Sequence, residues 1–322
     1  MKKIALVTGG AGFIGGHLVE RLVREGWQVR VLDNFSSGSW KNLANVEGAL
    51  DVCEGDIRDA DACLRACSGI DTVFHMAAIA SVASSVANPA FSDEVNVVGT
   101  LRMLMAARDQ GVRRFVFSSS ASVYGNAEVA PTPEEHPLRP ESPYASGKAC
   151  GEFYCRNFWS LHGLETVVLR YFNVFGPRQS AVSGYAAVVP EFVRAAAEGA
   201  RPVVYGDGQQ TRDFVYVENV AAANIRAAQA ENAAGETFNV GGGRGISLLE
   251  LLSELSRYTD RPIVPEFRAG RDGEVRHSLG SIARAQAVLG YAPTISLTTG
   301  LQRTFLAASR PAAGYEPVAT AA

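Results

Sequence analysis

Tyr144 and Lys148 stand one helical turn apart, a spacing that puts both side chains on one face of a helix. A phenol with an ordinary pKa of about 10 is a poor base at neutral pH, but a neighbouring ammonium favours the phenolate. A phenolate held there can take the proton of a substrate hydroxyl, provided that a hydride acceptor lies against the same carbon. Upstream, Ser118-Ser119-Ser120-Ala121-Ser122-Val123-Tyr124-Gly125 closes an apolar run. Its hydroxyls stand at the end of a predicted strand, where ligands of open α/β sheets bind. A Tyr and Lys on a helix surface are common, so the pair gains meaning from the acceptor site.

That site is the turn Gly9-Gly10-Ala11-Gly12-Phe13-Ile14-Gly15, set between an apolar strand at residues 3–8 and a helical pattern over about 12–25. Without Cβ atoms, Gly9 and Gly12 let the backbone approach a pyrophosphate, which gains from the N–H groups and positive end of the helix. Gly15 permits close helix–sheet packing. A tight turn alone would explain three glycines. Asp33 changes the balance: it ends the second strand, where a carboxylate accepts hydrogen bonds from an adenosine ribose and repels a 2′-phosphate. NAD is expected rather than NADP.

Further apolar β-branched runs at 28–33, 50–54, 71–76 and 114–118 alternate with helical patterns. Such alternation predicts right-handed crossovers and an α/β, Rossmann-type, doubly wound parallel sheet. A long helix is expected over 88–110 and another from near 143 to about 162, followed by a strand at 165–171. Beyond Asn173, loops rich in Gly, Pro and Arg separate shorter elements, including a helix at 247–258. This divides the chain into a cofactor domain at 1–173, rejoined at 214–240, a smaller C-terminal α+β substrate lobe at 174–213 and 241–307, and a flexible tail at 308–322.

Composition excludes several classes of function. With 30 Lys and Arg against 33 Asp and Glu, the formal net charge is −3 and the sequence has no basic stripe for nucleic acid. Glycines interrupt the apolar stretch after Met1-Lys2-Lys3, and no run reaches the roughly 18 apolar residues of a membrane span. A cytoplasmic protein is expected. Five cysteines, an odd number, read as reduced thiols, and Cys63-x3-Cys67 lacks companions for a zinc site. No metal is expected.

The G-x2-G-x2-G spacing, the serine run and Tyr144-x3-Lys148 together resemble the extended short-chain dehydrogenase/reductases, in particular the NAD-dependent epimerase/dehydratase family and its UDP-hexose 4-epimerases. The resemblance implies an NAD site built from Gly9, Gly12, Phe13, Ile14, Asp33, Asn34, Ser37, Gly38, Asp56, Ile57, Met76, Ala77, Ala78, Asn96, Ser118, Tyr144, Lys148 and Tyr171. Ala80 departs from the pattern, because many epimerases place a lysine there near the cofactor phosphates.

By the same resemblance Ser120 joins Tyr144 and Lys148 as the catalytic serine. Related dehydratases carry an Asp-Glu pair at the positions of Ala121 and Ser122, and related decarboxylases keep the Glu. Elimination needs an acid and a base besides the tyrosine, and both positions here are non-ionisable. The expected reaction is therefore inversion of C4 through a transient 4-keto sugar.

Arg170-Tyr171-Phe172-Asn173-Val174-Phe175-Gly176-Pro177-Arg178 resembles the family's nucleotide-sugar element. It implies a UDP site at Asn173, Val188, Val189, Tyr205, Gln210, Arg212, Arg271 and Glu274, with Ser120, Ser122, Tyr144 and Ser278 about the sugar. Ser278 stands where epimerases that reject N-acetylated sugars carry a tyrosine, which leaves room for an acetamido group. Arg178 and Arg194 are candidate partners for the carboxylate of UDP-glucuronate, although Asn173 stands where some glucuronate epimerases have threonine.

Glucose, N-acetylglucosamine and glucuronate all remain open as the sugar. Two other readings compete, and residues argue against each. Asp33 opposes an NADPH-type ketoreductase. The retained Tyr/Lys pair opposes a non-catalytic NAD-binding protein. The resemblance also implies a homodimer, formed by pairing the two long helices of each subunit into a four-helix bundle.

Overall fold

Seven strands carry the apolar runs into one parallel sheet. In a computed structural model, which describes residues 3–46, 48–180, 187–260, 262–270 and 275–309, the chain begins with β1 (Ile4–Thr8), α1 (Phe13–Arg24), β2 (Gln28–Asp33), β3 (Leu50–Glu54), α2 (Ala60–Cys67) and β4 (Thr72–His75). Next come α3 (Val82–Ala87), α4 (Pro89–Asp93), a π-helical segment (Glu94–Gly99), α5 (Thr100–Asp109), β5 (Arg114–Ser120), α6 (Pro143–His162) and β6 (Glu165–Tyr171).

The remaining elements are β7 (Asn173–Phe175), α7 (Val188–Glu198), β8 (Val203–Tyr205), β9 (Thr211–Tyr216), α8 (Val217–Gln229), β10 (Thr237–Val240), β11 (Gly245–Ser247), α9 (Leu248–Ser256), β12 (Glu266–Arg268), α10 (Ala283–Leu289) and α11 (Leu297–Ala308).

The sheet order is β10-β6-β5-β4-β1-β2-β3, parallel throughout. Successive side chains alternate between its two faces. Ala5, Val7, Val29, Val31, Val167 and Leu169 pack under α1 and α8. Leu6, Leu32, Val73, Phe115, Phe117 and Val168 pack under α2, α5 and α6. Strand order reverses between β1 and β4, so the crevice of such a sheet opens at their C-terminal ends.

Two small sheets, β11-β9-β7 and β12-β8, lie with α7, α9 and α11 over a third core that includes Phe192, Phe214 and Leu251. The stretch expected to rejoin the cofactor domain divides its allegiance. β9 pairs with β7 and β11, α8 packs on α1 and behind β5 and β6, and β10 forms an edge of the large sheet. The helix expected over 88–110 is α4 and α5 joined by the π-helical segment, and the strand at 114–118 runs on to Ser120. α11 extends to Ala308, at the start of the expected tail, while residues 310–322 lie outside the described ones.

α6 positions the catalytic candidates, and its local sequence explains its bounds. Ser142 caps it by accepting from the Ala145 N–H, Pro143 occupies the first turn, and Gly163 ends it at φ +69°. It lies close on β5 because Gly151 faces the ring of Phe117, where a Cβ would come within 2.4 Å. Replacing Gly151→Ala is expected to destabilise the fold by about 1–3 kcal/mol through overpacking, read from the urea unfolding midpoint.

Candidate active site

The C-terminal ends of β1 to β5 surround a cleft of about 350 Å³. Its floor is the glycine turn before α1. Gly9 adopts φ +67° and abuts the backbone of Ala77, where a Cβ would lie 2.8 Å from the amide nitrogen. A Cβ at Gly15 would lie 2.1 Å from the Gly9 carbonyl oxygen. The turn is thus bare backbone at a helix N-terminus, the geometry that a pyrophosphate requires.

Asp33 is buried, accepting from the Ala11 N–H at Oδ2 (2.9 Å) and from the Phe35 N–H at Oδ1 (2.8 Å). Each oxygen keeps a further lone pair for a ribose hydroxyl. Beside it Asn34 Nδ2 donates to Asp56 Oδ2 at 2.9 Å, and the hydrogen-bonded Arg58 guanidinium holds the Asp56 carboxyl well below the usual carboxylate range. The donor set and the glycine cradle fit NAD.

Every residue expected to contact the cofactor lines this cleft except Gly38 and Asn96. Gly38 backs Asp33: a Cβ there would sit 3.0 Å from Oδ1. Asn96 is buried behind the wall, where its amide accepts from the Ile79 N–H at 2.8 Å and donates to the Ile79 carbonyl at 3.1 Å. It fixes the turn after β4.

That turn is held from below as well. Thr8 Oγ1 accepts from the Met76 and Ala77 N–H groups and lies 2.8 Å from His75 Nδ1. Thr100 donates its hydroxyl hydrogen to the Asn96 carbonyl, so His75 Nε2, 3.0 Å away, carries the proton that Thr100 accepts. Burial pushes the His75 imidazole down to about 3, so it stays neutral.

At the other end the catalytic candidates converge. Lys148, buried, donates from Nζ to the Ser118 carbonyl at 2.8 Å and lies 5.9 Å from the centre of the Tyr144 ring. Burial pushes its ammonium down to about 8. The Tyr144 phenol is raised by burial, against which its hydrogen bond with Ser120 works. Tyr171 Oη lies 3.0 Å from Ser118 Oγ and contacts the Asn224 amide on α8, and burial pushes its phenol up to about 12. It is a neutral hydrogen-bonding group.

A second cavity, of about 210 Å³, gathers Asn173, Val188, Val189, Tyr205, Gln210 and Arg212 from β7, the start of α7, β8 and β9. Gln210 Nε2 donates to the Tyr205 carbonyl at 2.8 Å, while its buried Oε1 and the Ser122 hydroxyl have no hydrogen-bond partner among the described residues. Ser278 sits beside β9, its N–H donating to the Thr211 carbonyl at 3.1 Å. Arg271 and Glu274 lie outside the described residues.

The two arginines considered for a sugar carboxylate are engaged elsewhere. Arg178 holds Glu20 of α1 in a bidentate pair at 2.7 and 2.9 Å, and Arg194 pairs with Glu198 along the exposed side of α7. Glu198 stands one helical turn from Arg194, whereas Glu20 lies 158 positions from Arg178 and gave no sign in the sequence.

Sequence reasoning also missed a buried network behind the serine run. Ser119 Oγ donates to Glu152 Oε1 at 2.5 Å, and Arg170 pairs with both Glu152 oxygens at 2.9 and 2.6 Å and donates to Tyr124 Oη at 2.8 Å. The available signal was the spacing Tyr144, Lys148, Glu152, which continues one helical face.

Residues 5–241 match the model of the NAD dependent epimerase/dehydratase family. The chain belongs to that family. It is 42% identical over 303 residues to the UDP-glucose 4-epimerase of Mycolicibacterium smegmatis, covering 93% of this chain and 96% of the relative. Its fold is similar to that of a UDP-N-acetylglucosamine 4-epimerase from Methanobrevibacter ruminantium, with TM-score 0.91, 38% identity and coverage of 95% of this chain and 98% of the other. It is likewise similar to the UDP-glucose 4-epimerase of Thermotoga maritima solved with UDP-glucose, with TM-score 0.89, 39% identity and coverage of 94% and 98%. Among the described residues no helix is long and apolar enough to cross a membrane.

The depressed Lys148 ammonium has a measurable consequence. With its proton leaving near 8 in the folded chain and near the ordinary 10.5 in the unfolded one, the folded state binds fewer protons between these values. Stability of the cofactor-free protein therefore gains with rising pH across that window. Urea unfolding at about pH 8 and about pH 10 should show a larger gain for the wild type than for Lys148→Met, which lacks the titrating group.

Proposed function

We propose that this enzyme inverts C4 of a UDP-hexose, interconverting the glucose- and galactose-configured forms through a transient 4-keto sugar. The observation that carries this reading is the grouping of Tyr144, Lys148 and Ser120 at one end of the NAD cleft with non-ionisable Ala121 and Ser122 beside them. The same geometry leaves the acid and base of a dehydratase unsupplied at those two positions.

NAD, when bound, supplies a hydride acceptor and donor at C4 and a positive charge near the phenol. Ser120 orients the sugar hydroxyl toward Tyr144 Oη, which takes the O4 proton and later returns it to O4 once the keto sugar has turned its opposite C4 face to the hydride donor. Lys148 favours the phenolate while Ser118 holds its ammonium in place. The keto sugar must turn over between the two proton transfers, so the binding energy belongs on UDP rather than on the hexose. Asn173, Tyr205 and Arg212 supply that grip, with the Tyr205 ring against the pyrimidine and Arg212 toward phosphate.

Ser278 leaves room for an acetamido group, so UDP-GlcNAc is expected as a substrate alongside UDP-glucose. With Arg178 held in a part-buried pair by Glu20, a neutral hexose is favoured over a uronate. Incubation with a panel of UDP-sugars, followed by NMR of the C4 configuration, tests the reading. Interconversion without added NADH supports it. Tyr144→Phe should lower the rate by about 10²–10⁴-fold, and Ser278→Tyr should suppress the N-acetylated substrate selectively. Net reduction that depends on added NADH would favour a ketoreductase instead.

The exposed apolar residues Met105 on α5 and Phe153 and Leu161 on α6, with Val98 of the π-helical segment, support a homodimer built on α5 and α6. Light scattering should report a dimer for the wild type and a monomer for the Phe153→Glu, Leu161→Glu double variant.

A further inference from the structure

Two walls enclose the adenosine end of the NAD cleft, the end marked by Asp33 and remote from Tyr144. One is the turn after β3, with Asp56 and Ile57; the other is α4 and the π-helical segment, from which Phe91 and Val95 line the cleft. Ile57 is braced from behind, since a Cβ at Gly99 would lie 2.7 Å from its Cδ1. Phe91, in contrast, is 40% exposed. Its ring lines the cleft and remains open to a ligand there.

Arg58 joins the walls. Its Nη2 and Nε donate to the two Asp56 carboxylate oxygens at 2.8 and 3.0 Å, and its Nη1 lies 3.5 Å from Glu94 Oε2. Its guanidinium carbon stands 5.1 Å from the centre of the Phe91 ring. Asp56 in turn accepts from Asn34, so the turn after β2 belongs to the same chain of contacts.

We propose that Arg58 and Phe91 form a fastener over the adenine end of the cleft, with Phe91 presenting its ring to the purine and Arg58 holding that ring across from Ile57. A flat, apolar-faced base suits two opposed apolar walls. Arg58 spends its charge on Asp56 and Glu94, so it acts by position and not by attracting phosphate. Ala80 on the same cleft brings no charge either. The glycine turn and Asp33 hold the pyrophosphate and ribose, and the fastener adds to them at the adenine end, where it slows the release of NAD.

The test follows release directly. Wild type, Arg58→Gln, Phe91→Leu and the double variant are loaded with NADH and mixed with excess NAD, and the loss of bound nicotinamide fluorescence is timed by stopped flow. Each single change should speed release by about 3- to 10-fold, the range of one cation–π contact. The double variant should release clearly more slowly than the product of the two single effects predicts, because both remove one device. The dissociation constant for UDP, from calorimetry, should be unchanged. Unaltered release in both single variants, fully multiplicative effects, or an equal loss of UDP binding would each overturn the proposal. So would a wild type that takes up no NADH.

Discussion

The bond from Lys148 Nζ to the Ser118 carbonyl fixes the distance between α6 and the end of β5, and the rest of the site is arranged about it. An ammonium can be buried only where its hydrogen bonds are met, so the helix must lie close to the strand. Gly151 permits that approach at Phe117, and the Ser142 cap sets where the helix begins. Tyr144 and Ser120 then meet as a consequence of two rigid elements being held in register. Behind them, Glu152 and Arg170 tie Ser119 to Tyr124. The serine run is thus anchored on the side away from the substrate.

The large sheet was legible because fully buried parallel strands read as continuous apolar runs. Residues 165–171 needed no correction, nor did 28–33 or the part-exposed edge strand at 50–54, which alternates apolar and charged residues. Asp33 was legible for another reason, since its place after a glycine turn admits few roles. The π-helical segment was not, because its wider turn hardly alters an apolar pattern, yet it carries Asn96, whose amide meets the backbone of Ile79.

The short strands β7, β8, β11 and β12 have three residues each, too few for any periodicity to register. The ion pair of Arg178 was hidden for a related reason: its partner Glu20 stands 158 positions away. Sequence displays a charge but conceals which opposite charge the fold will bring to it. In this molecule that pair does structural work, joining the loop after β7 to α1, while His17 Nε2 meets the Pro177 carbonyl at 3.0 Å. The helix that offers its N-terminus to the pyrophosphate is therefore gripped by the loop that follows Asn173.

β10 lends the large sheet its last strand after the chain has already built α7, β8 and β9. Its Asn239 receives the Tyr124 hydroxyl and donates to the carbonyls of Thr132 and Ser281. During synthesis, then, the first lobe cannot be completed when its early strands emerge. β6 waits as an open parallel edge until residue 240 is available, and Arg170 and Tyr124 wait with it. Such late, long-range pairing is slow to form and makes folding of the two lobes interdependent. The arrangement that lets one chain bind cofactor and sugar nucleotide together also makes its lobes poor candidates for separate existence.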